Sequence, residues 1–292
     1  MSMKKRKQNW IPFLFLMPAL AFLFFVYLYP LIRVFLDSFF TIRNGEKVFA
    51  RLLNYRNIFL VDTKFRISLR NNAILLLGVP ILVLFALICA FVIYERVRGW
   101  KAFRTLFFLP YVLAITVVSI VFSFLYRGDG IINSVLGKIG LGILQNDWIG
   151  NTKTAIFAVL FVIIWHDFGF GMMLFFARLM SLDKDLFEAA IVDGASWLQR
   201  FRYVTIPQLR SIIEFYTVIC VITILAWSFN YIFSMTKGGP GNSTMIIELY
   251  IYNSAFMYNL PNYASGLSVI LFLMVSILII LQTTMRMRAE KQ

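Results

Sequence analysis

The sequence has few charged residues, few cysteines and a single histidine. Asp, Glu, Lys and Arg make up 14% of the 292 residues and hydrophobic residues 60%, whereas a soluble domain is about a quarter charged. This hydrophobicity excludes a disordered chain. Two cysteines cannot supply the framework of a disulfide-stapled secreted domain. Cys89 and Cys220 both lie in apolar stretches, so we expect them to be small buried residues.

Sequence motifs of enzyme chemistry are also missing. The chain has no G-x-x-x-x-G-K-[ST] loop to hold a nucleotide phosphate, no His/Cys cluster with metal-ligand spacing and no nucleophile elbow. No filter-like signature of a channel is present. We therefore expect a protein that is not an enzyme and that binds no metal and no cofactor of its own.

Long stretches without charge dominate the chain. About 20 apolar residues of helix are needed to cross the hydrocarbon core of a bilayer, and six stretches are long enough, the fourth being interrupted only by Asp167. They predict an all-α, polytopic membrane protein with one transmembrane domain over residues 1–292. The predicted spans are residues 11–32, 71–94, 105–126, 154–177, 215–236 and 263–285. The first could instead be a cleaved signal peptide, but its 22 uncharged residues exceed the usual core of about 7–15.

The positive charge follows the ends of the apolar stretches. A net charge of +14 on a soluble protein would suggest nucleic acid, but this distribution indicates membrane topology and no nucleic-acid partner. With the N-terminus inside, the inner segments hold 16 basic residues and the outer ones 12, which favours both termini in the cytoplasm. Eight of the outer twelve lie in loop 33–70, which either meets an acidic partner or is simply solvated.

The segment 181–210, on the cytoplasmic side, predicts two short helices. Asp185 lies near a helix start, where a carboxylate complements the helix dipole, and Gly194 ends that helix. A second helix at about residues 196–203 is expected to stop at Pro207. Such a knob fits a partner protein; the alternative is an amphipathic helix that rests on lipid. Its apolar face would comprise Leu186, Ala189, Ala190 and Val192.

The same segment resembles a known family signature. It contains Glu188-Ala189-Ala190, then Gly194, then Val204-x-Ile206-Pro207. This is similar to the EAA motif of the membrane subunits of bacterial binding-protein-dependent ABC importers. Two positions differ from that motif, since Val204 replaces Ile and Ile206 replaces Leu. The resemblance implies a coupling helix that docks into a cleft on the ATP-hydrolysing subunit. The residues it assigns to coupling are Glu188, Ala189, Ala190, Asp193, Gly194 and Pro207.

A second resemblance narrows the branch. Gly238-Gly239-Pro240, Leu249-Tyr250-Ile251-Tyr252 and the run 263–268 look like the MalF/UgpA-type carbohydrate permeases. The resemblance implies an ABC importer type I permease fold and transport of a sugar, oligosaccharide or sugar derivative by alternating access. Gly238, Gly239 and Pro240 also predict a tight turn before a short helix at the outer surface.

The resemblance also implies a location and partners. The chain would be a multi-pass protein of the bacterial inner membrane. Its expected partners are a pair of ATP-binding subunits, which hold the ATP and Mg²⁺, and an extracytoplasmic solute-binding protein. Six spans make half a pathway, so a second permease subunit is expected, with a heterodimer favoured over a homodimer.

Polar and aromatic residues inside two spans are candidates for the substrate pathway. Ionisable groups at membrane depth are costly and face a cavity or a partner. The candidates are Trp165, His166 and Asp167 in the fourth span, and Trp227, Asn230 and Tyr231 in the fifth. They would bind sugar rings and hydroxyls, or alternatively make internal polar contacts.

Two other functions stay open on the residues alone. His166 and Asp167 could serve a proton-coupled secondary transporter, against which stand the EAA-like motif and the lack of an inverted repeat. A membrane scaffold that transports nothing is the third possibility.

Overall fold

The computed structural model describes residues 11–43, 45–183 and 185–289, and the side chains of 13–43, 45–183 and 185–284. The basic N-terminal residues Lys4, Lys5, Arg6 and Lys7, which enter the topology argument, lie outside the described residues. The α-helices are Ile11–Leu23, Tyr29–Asp37, Leu53–Leu60, Thr63–Leu76, Gly78–Tyr94, Trp100–Val112, Ile115–Leu125, Ile131–Lys138, Ala155–Met180, Asp185–Val192, Trp197–Gln199, Ile206–Met235, Ile247–Tyr252 and Pro261–Ala289. Shorter elements are the π-helical turns Phe24–Leu28, Arg200–Thr205 and Asn253–Met257, a 3-10 turn at Gly142–Leu144, and the antiparallel strands Phe40–Arg43 and Glu46–Phe49.

Five continuous helical stretches in the described part of the chain are long and apolar enough to cross a membrane, and one bent pair makes a sixth. We call them spans 1 to 6 in chain order. They are Phe13–Asp37, Thr63–Tyr94, the pair Trp100–Val112 and Ile115–Leu125, Ala155–Met180, Trp197–Met235 and Pro261–Thr284. The six apolar stretches of the sequence thus correspond to these six spans.

Contacts divide the chain into two compact units. The first comprises residues 1–61 and 251–272, and the second 62–250 and 273–292. In the first unit, span 1 has its apolar side chains exposed along its length, as a lipid-facing helix requires. Buried Asn54 donates to the carbonyl oxygens of Ser38 and Phe40, at 2.8 Å each, which secures the start of the hairpin. The single permease domain expected from the sequence stays a prediction.

The core of the second unit forms where spans 2 and 4 pack together. Small side chains on span 2, Ala86 and Ala90, are fully buried, as are Val159 and Phe175 on span 4. Gly169 on span 4 faces span 3, and a Cβ there would lie only 2.5 Å from the carbonyl oxygen of Phe107. Glycine at this position therefore permits the close approach of the two helices.

Span 3 is bent by 96°, so the uncharged stretch 105–126 is not the one straight helix that its length suggested. Leu113 and Ala114 take extended backbone conformations, with ψ of 145° and 130°. Pro110 lies just before the bend and has no N–H to donate within the helix. Backbone groups that lose their helical hydrogen bonds at membrane depth must find other partners. The bend therefore requires polar side chains beside it.

The prediction that Pro207 stops a short helix is wrong. The chain is helical without interruption from Trp197 to Met235. Pro207 follows a π-helical turn at Arg200–Thr205 and occupies the first turn of the α-helix after it. A π-helical turn changes the hydrogen-bond register, so a residue without an N–H is accommodated there.

Candidate functional site

A cavity of about 540 Å³ opens among spans 2, 3, 4 and 5 of the second unit. This volume is in the range of small-ligand sites. The bend of span 3 forms one wall, and the middle of span 4 forms another. The lining residues are Leu82, Tyr111, Leu113, Ala114, Ile115, His166, Asp167, Phe170, Tyr216, Ile219, Cys220, Thr223, Ile224 and Trp227.

His166 makes a hydrogen bond with a backbone carbonyl oxygen at the bend of span 3. Its Nε2 lies 3.0 Å from the carbonyl oxygen of Leu113, 53 residues earlier in the chain. Because a carbonyl oxygen can only accept, Nε2 carries a hydrogen and donates it. The alternative of an internal polar contact therefore holds for this ring nitrogen.

A buried cluster surrounds the other ring nitrogen of His166. Nδ1 lies 2.6 Å from Oδ1 of Asp167 and 2.8 Å from the hydroxyl of Tyr231. That hydroxyl also donates to Oδ1 of Asp167 at 3.1 Å. Tyr231 and the His166 side chain are almost fully buried, while the Asp167 side chain is 13% exposed. Asp167 is thus the member of this cluster that can meet a ligand in the cavity.

The structure brings only some of the predicted pathway residues to the cavity. His166, Asp167 and Trp227 line it. Tyr231 lies behind them in the polar cluster, and Trp165 packs edge-on against Phe122 instead.

The remaining candidate, Asn230, is half-buried and does not line the cavity. Sequence reasoning missed Tyr111, Phe170 and Tyr216, three of the four Phe, Tyr and Trp residues in the described lining. The proline in span 3 was the one signal that could have pointed to Tyr111. Nothing in the sequence pattern pointed to Phe170 or Tyr216, since aromatic residues are common in every span.

Gly171 creates room for one of the missed aromatic residues. A Cβ at this position would lie 2.2 Å from the ring of Tyr216. The Tyr216 hydroxyl donates to the carbonyl oxygen of Asp167 at 3.2 Å. Span 4 is an unbroken α-helix here, and Gly171 lets span 5 approach it closely.

The segment 181–210 is anchored to one end of span 2. The helix Asp185–Val192 buries Phe187, whose ring lies 4.9 Å from that of Tyr94. Nη2 of Arg200 lies 2.7 Å from Oε2 of Glu95, immediately after span 2.

Aromatic rings extend this anchor. The rings of Trp197 and Phe201 are stacked, and they lie 5.2 and 5.4 Å from the ring of Phe91 on span 2. The rings of Phe91, Trp197 and Phe201 thus form a cluster next to the ion pair of Arg200 and Glu95. The anchor therefore joins the segment to a helix that also lines the cavity through Leu82.

The helix Asp185–Val192 presents apolar side chains to solvent. Leu186 and Val192 are 45% and 87% exposed, and Glu188, Ala189 and Asp193 are exposed as well. Phe187 is the buried anchor of this helix, whereas Leu186, Ala189 and Val192 of the predicted apolar face are exposed. Gly194 follows this helix at φ +77°, a conformation that favours glycine.

A second polar cluster lies at the opposite end of span 5. Asn72 of span 2 accepts from the N–H of Ile247 at 2.9 Å and donates to both carboxylate oxygens of Glu248 at 3.2 Å. Burial raises the pKa of Glu248 to about 7. The loop after span 5 is thereby fastened to span 2. Among the described residues no cluster of His, Cys, Asp and Glu fits a metal site.

These features agree with a known group of transport proteins. Residues 59–288 match the family of binding-protein-dependent transport system inner membrane components. The chain belongs to this family. The family is one of membrane components of transport systems that depend on a binding protein, so the predictions of a non-enzymatic, multi-pass importer permease subunit are confirmed. The proton-coupled alternative loses its support with this assignment.

Relatives cover nearly the whole chain. The probable ABC transporter permease protein YurN of Bacillus subtilis is 36% identical, over 93% of this chain and 94% of that protein. The lactose transport system permease protein LacF of Rhizobium radiobacter is 33% identical, over 96% and 95%.

A solved structure gives the fold. A chain of a bacterial ABC transporter involved in the import of the acidic polysaccharide alginate has a TM-score of 0.80 at 23% identity, and the match covers 97% of this permease and 96% of that chain. The prediction of an all-α ABC importer permease fold is thereby confirmed.

Proposed function

We propose that this permease forms half of the translocation pathway of an ATP-driven importer for a sugar, an oligosaccharide or a sugar derivative. The observation that carries the proposal is the link between segment 181–210 and the cavity. Segment 181–210 is held to span 2 by Arg200 and Glu95, and span 2 lines the cavity. A displacement of that segment therefore moves a wall of the cavity.

The exposed helix Asp185–Val192 is the surface that meets the ATP-binding subunits in this proposal. Its apolar residues Leu186 and Val192 are 45% and 87% exposed in the described part of the chain, and a protein cleft would bury them. ATP and Mg²⁺ bind to those subunits. Glu188, Ala189 and Ala190 lie on this docking helix, and Asp193 and Gly194 form the turn that follows it. Pro207 lies in span 5, just after its π-helical turn.

The cavity chemistry fits a carbohydrate. Aromatic faces from Tyr111, Phe170 and Trp227 can stack on the apolar faces of sugar rings, and Thr223 and Asp167 can hydrogen-bond hydroxyl groups. The name of LacF, a lactose permease, supports the same substrate class. Trp165, Asn230 and Tyr231 lie outside the lining, so we assign them no direct contact with substrate.

Partners and orientation complete the proposal. A solute-binding protein delivers the sugar on the side of the Glu248 cluster, and both termini lie in the cytoplasm with segment 181–210. A second, similar permease subunit supplies the other half of the pathway as a heterodimer. ATP binding opens the cavity outward and hydrolysis returns it inward.

Reconstitution tests the proposal. The tagged chain is purified in mild detergent with its co-purifying subunits and placed in vesicles with the binding protein and labelled sugars. We expect uptake that stops without ATP and continues when a protonophore collapses the proton gradient. Isolation of the chain without any ATPase, even after crosslinking, would contradict the proposal, as would uptake that follows the proton gradient alone.

A further inference from the structure

Among the described residues, no Lys or Arg side chain lines the cavity. His166 and Asp167 are the His, Asp and Glu side chains in this described lining. A ligand carboxylate that leaves water must gain a cationic or hydrogen-bonding partner to offset its lost hydration. Among the described lining residues, His166 is therefore the one candidate for a cationic partner.

His166 is not free to take it. Its Nε2 donates to the Leu113 carbonyl oxygen at 3.0 Å, so Nε2 has no further hydrogen to offer. Its Nδ1 lies 2.6 Å from Oδ1 of Asp167, a distance that requires a hydrogen between two atoms that would otherwise both be acceptors. The pair thus holds one shared proton and no net charge, and both ring nitrogens face the protein.

Asp167 adds an acceptor and no donor. Its Oδ1 already accepts from Tyr231, and its partly exposed side chain lines the cavity. A carboxylate oxygen accepts readily from a sugar hydroxyl but has no hydrogen to donate to a ligand carboxylate. The other polar lining groups are the hydroxyls of Thr223, Tyr111 and Tyr216. They suit a ligand hydroxyl as well as they suit a ligand carboxylate.

We infer that this cavity selects uncharged sugars and excludes sugars that carry a carboxylate, with Asp167 as the specificity-determining residue. The inference rests on the proposed function, because it concerns the substrate of the same site. The shared fold does not impose it, since a similar fold belongs to an importer of the acidic polysaccharide alginate. The described lining of this cavity holds no Lys or Arg side chain.

Trp227 provides a probe inside the cavity, since it lines the cavity and is 54% exposed. The complete complex of permease and ATPase subunits, without binding protein, is titrated with neutral trisaccharides of glucose, galactose and xylose, and with trigalacturonate. Tryptophan fluorescence is recorded for the native chain and for Trp227→Phe, which isolates the signal of this residue. We expect a neutral trisaccharide to change the Trp227 signal at a concentration at least tenfold below that of trigalacturonate.

Two variants test the cause. Ile219→Lys places a cation on the cavity wall and is expected to improve the response to trigalacturonate by about tenfold, whereas Ile219→Met, similar in length and uncharged, is expected to leave it unchanged. Trigalacturonate acting within threefold of the best neutral sugar in the native complex would overturn the inference, including the case in which the second permease subunit supplies the cation. A complex with normal ATP turnover that responds to no sugar would contradict the proposed function itself, and the inference with it.

Discussion

Arg200 and Glu95 form an ion pair 105 residues apart in sequence, with Nη2 and Oε2 separated by 2.7 Å. The two side chains are only 14% and 21% exposed, so water screens the pair less than a surface ion pair. Nη1 of Arg200 also donates to the carbonyl oxygen of Ala195 at 2.8 Å. The guanidinium therefore fastens the turn between the two helices of segment 181–210 to the end of span 2.

Breaking this pair is expected to uncouple ATP hydrolysis from transport. Glu95→Gln should lower sugar uptake about fivefold while the chain still inserts and binds the ATPase subunits, because the anchor and not the docking surface is changed. A double-mutant cycle with Arg200→Gln should give a coupling free energy of about 1 kcal/mol in thermal unfolding. Additive effects of the two substitutions would show that the pair contributes nothing; Glu46→Gln, on the exposed strand Glu46–Phe49, is the matched control.

Substitutions on the docking helix should act on assembly instead. Glu188→Lys reverses an exposed charge, and Gly194→Asp strains a residue at φ +77° by about 1–2 kcal/mol. We expect both variants to insert normally and to lose the ATPase subunits in a pull-down.

Gly140→Asp is the matched control for Gly194→Asp. Gly140 has a φ of +81° and, like Gly194, open space around the position of a Cβ, but it lies in the loop after span 3. The Gly140→Asp variant should therefore retain the ATPase subunits. Normal assembly and uptake in both Glu188→Lys and Gly194→Asp would remove the coupling role from segment 181–210.

His166 should prove more important for stability than for sugar affinity. His166→Ala leaves the Leu113 carbonyl oxygen without its 3.0 Å donor, and an unpaired buried acceptor costs about 1–3 kcal/mol. We expect a lower unfolding temperature in detergent and an unchanged KM for uptake in the surviving protein. Asn230→Ala, on the next span and outside the cavity lining, should change neither quantity. A large rise of KM at unchanged stability would instead favour direct contact of His166 with substrate.

Stability should depend on pH through Glu248. Its pKa of about 7 in the folded protein exceeds the ordinary 4.5, so between these values the folded state binds more protons than the unfolded state. The stability contributed by the protonated form is therefore complete below pH 4.5 and is lost as pH rises through about 7.

Glu248→Gln removes this titration while keeping an acceptor for Asn72. The variant should be more stable than the native chain at pH 8 by about 2 kcal/mol and indistinguishable at low pH. Thermal unfolding at pH 5 and pH 8 measures the difference. An equal pH dependence in the variant and the native chain would assign the effect to another group.

The sequence alone determined the class of protein and the approximate positions of its spans. Uncharged stretches of about 20 residues are long enough to cross a bilayer, and they do so as helices because an unpaired backbone in hydrocarbon is too costly. Each of the six spans overlaps one of these stretches. The Glu188 to Gly194 motif and the turn at Gly194 were equally visible, because both are local in sequence.

The tertiary structure alone decided which polar groups meet. The bend at Leu113 is stabilised by His166, 53 residues away, and the anchor at Glu95 depends on Arg200, 105 residues away. Hydropathy measures whether a residue can leave water, but it contains no information on which residues lie next to that residue in the folded protein. Phe187 and Tyr216 illustrate the limit, since each became a buried contact only when a second span supplied the surface against which it packs.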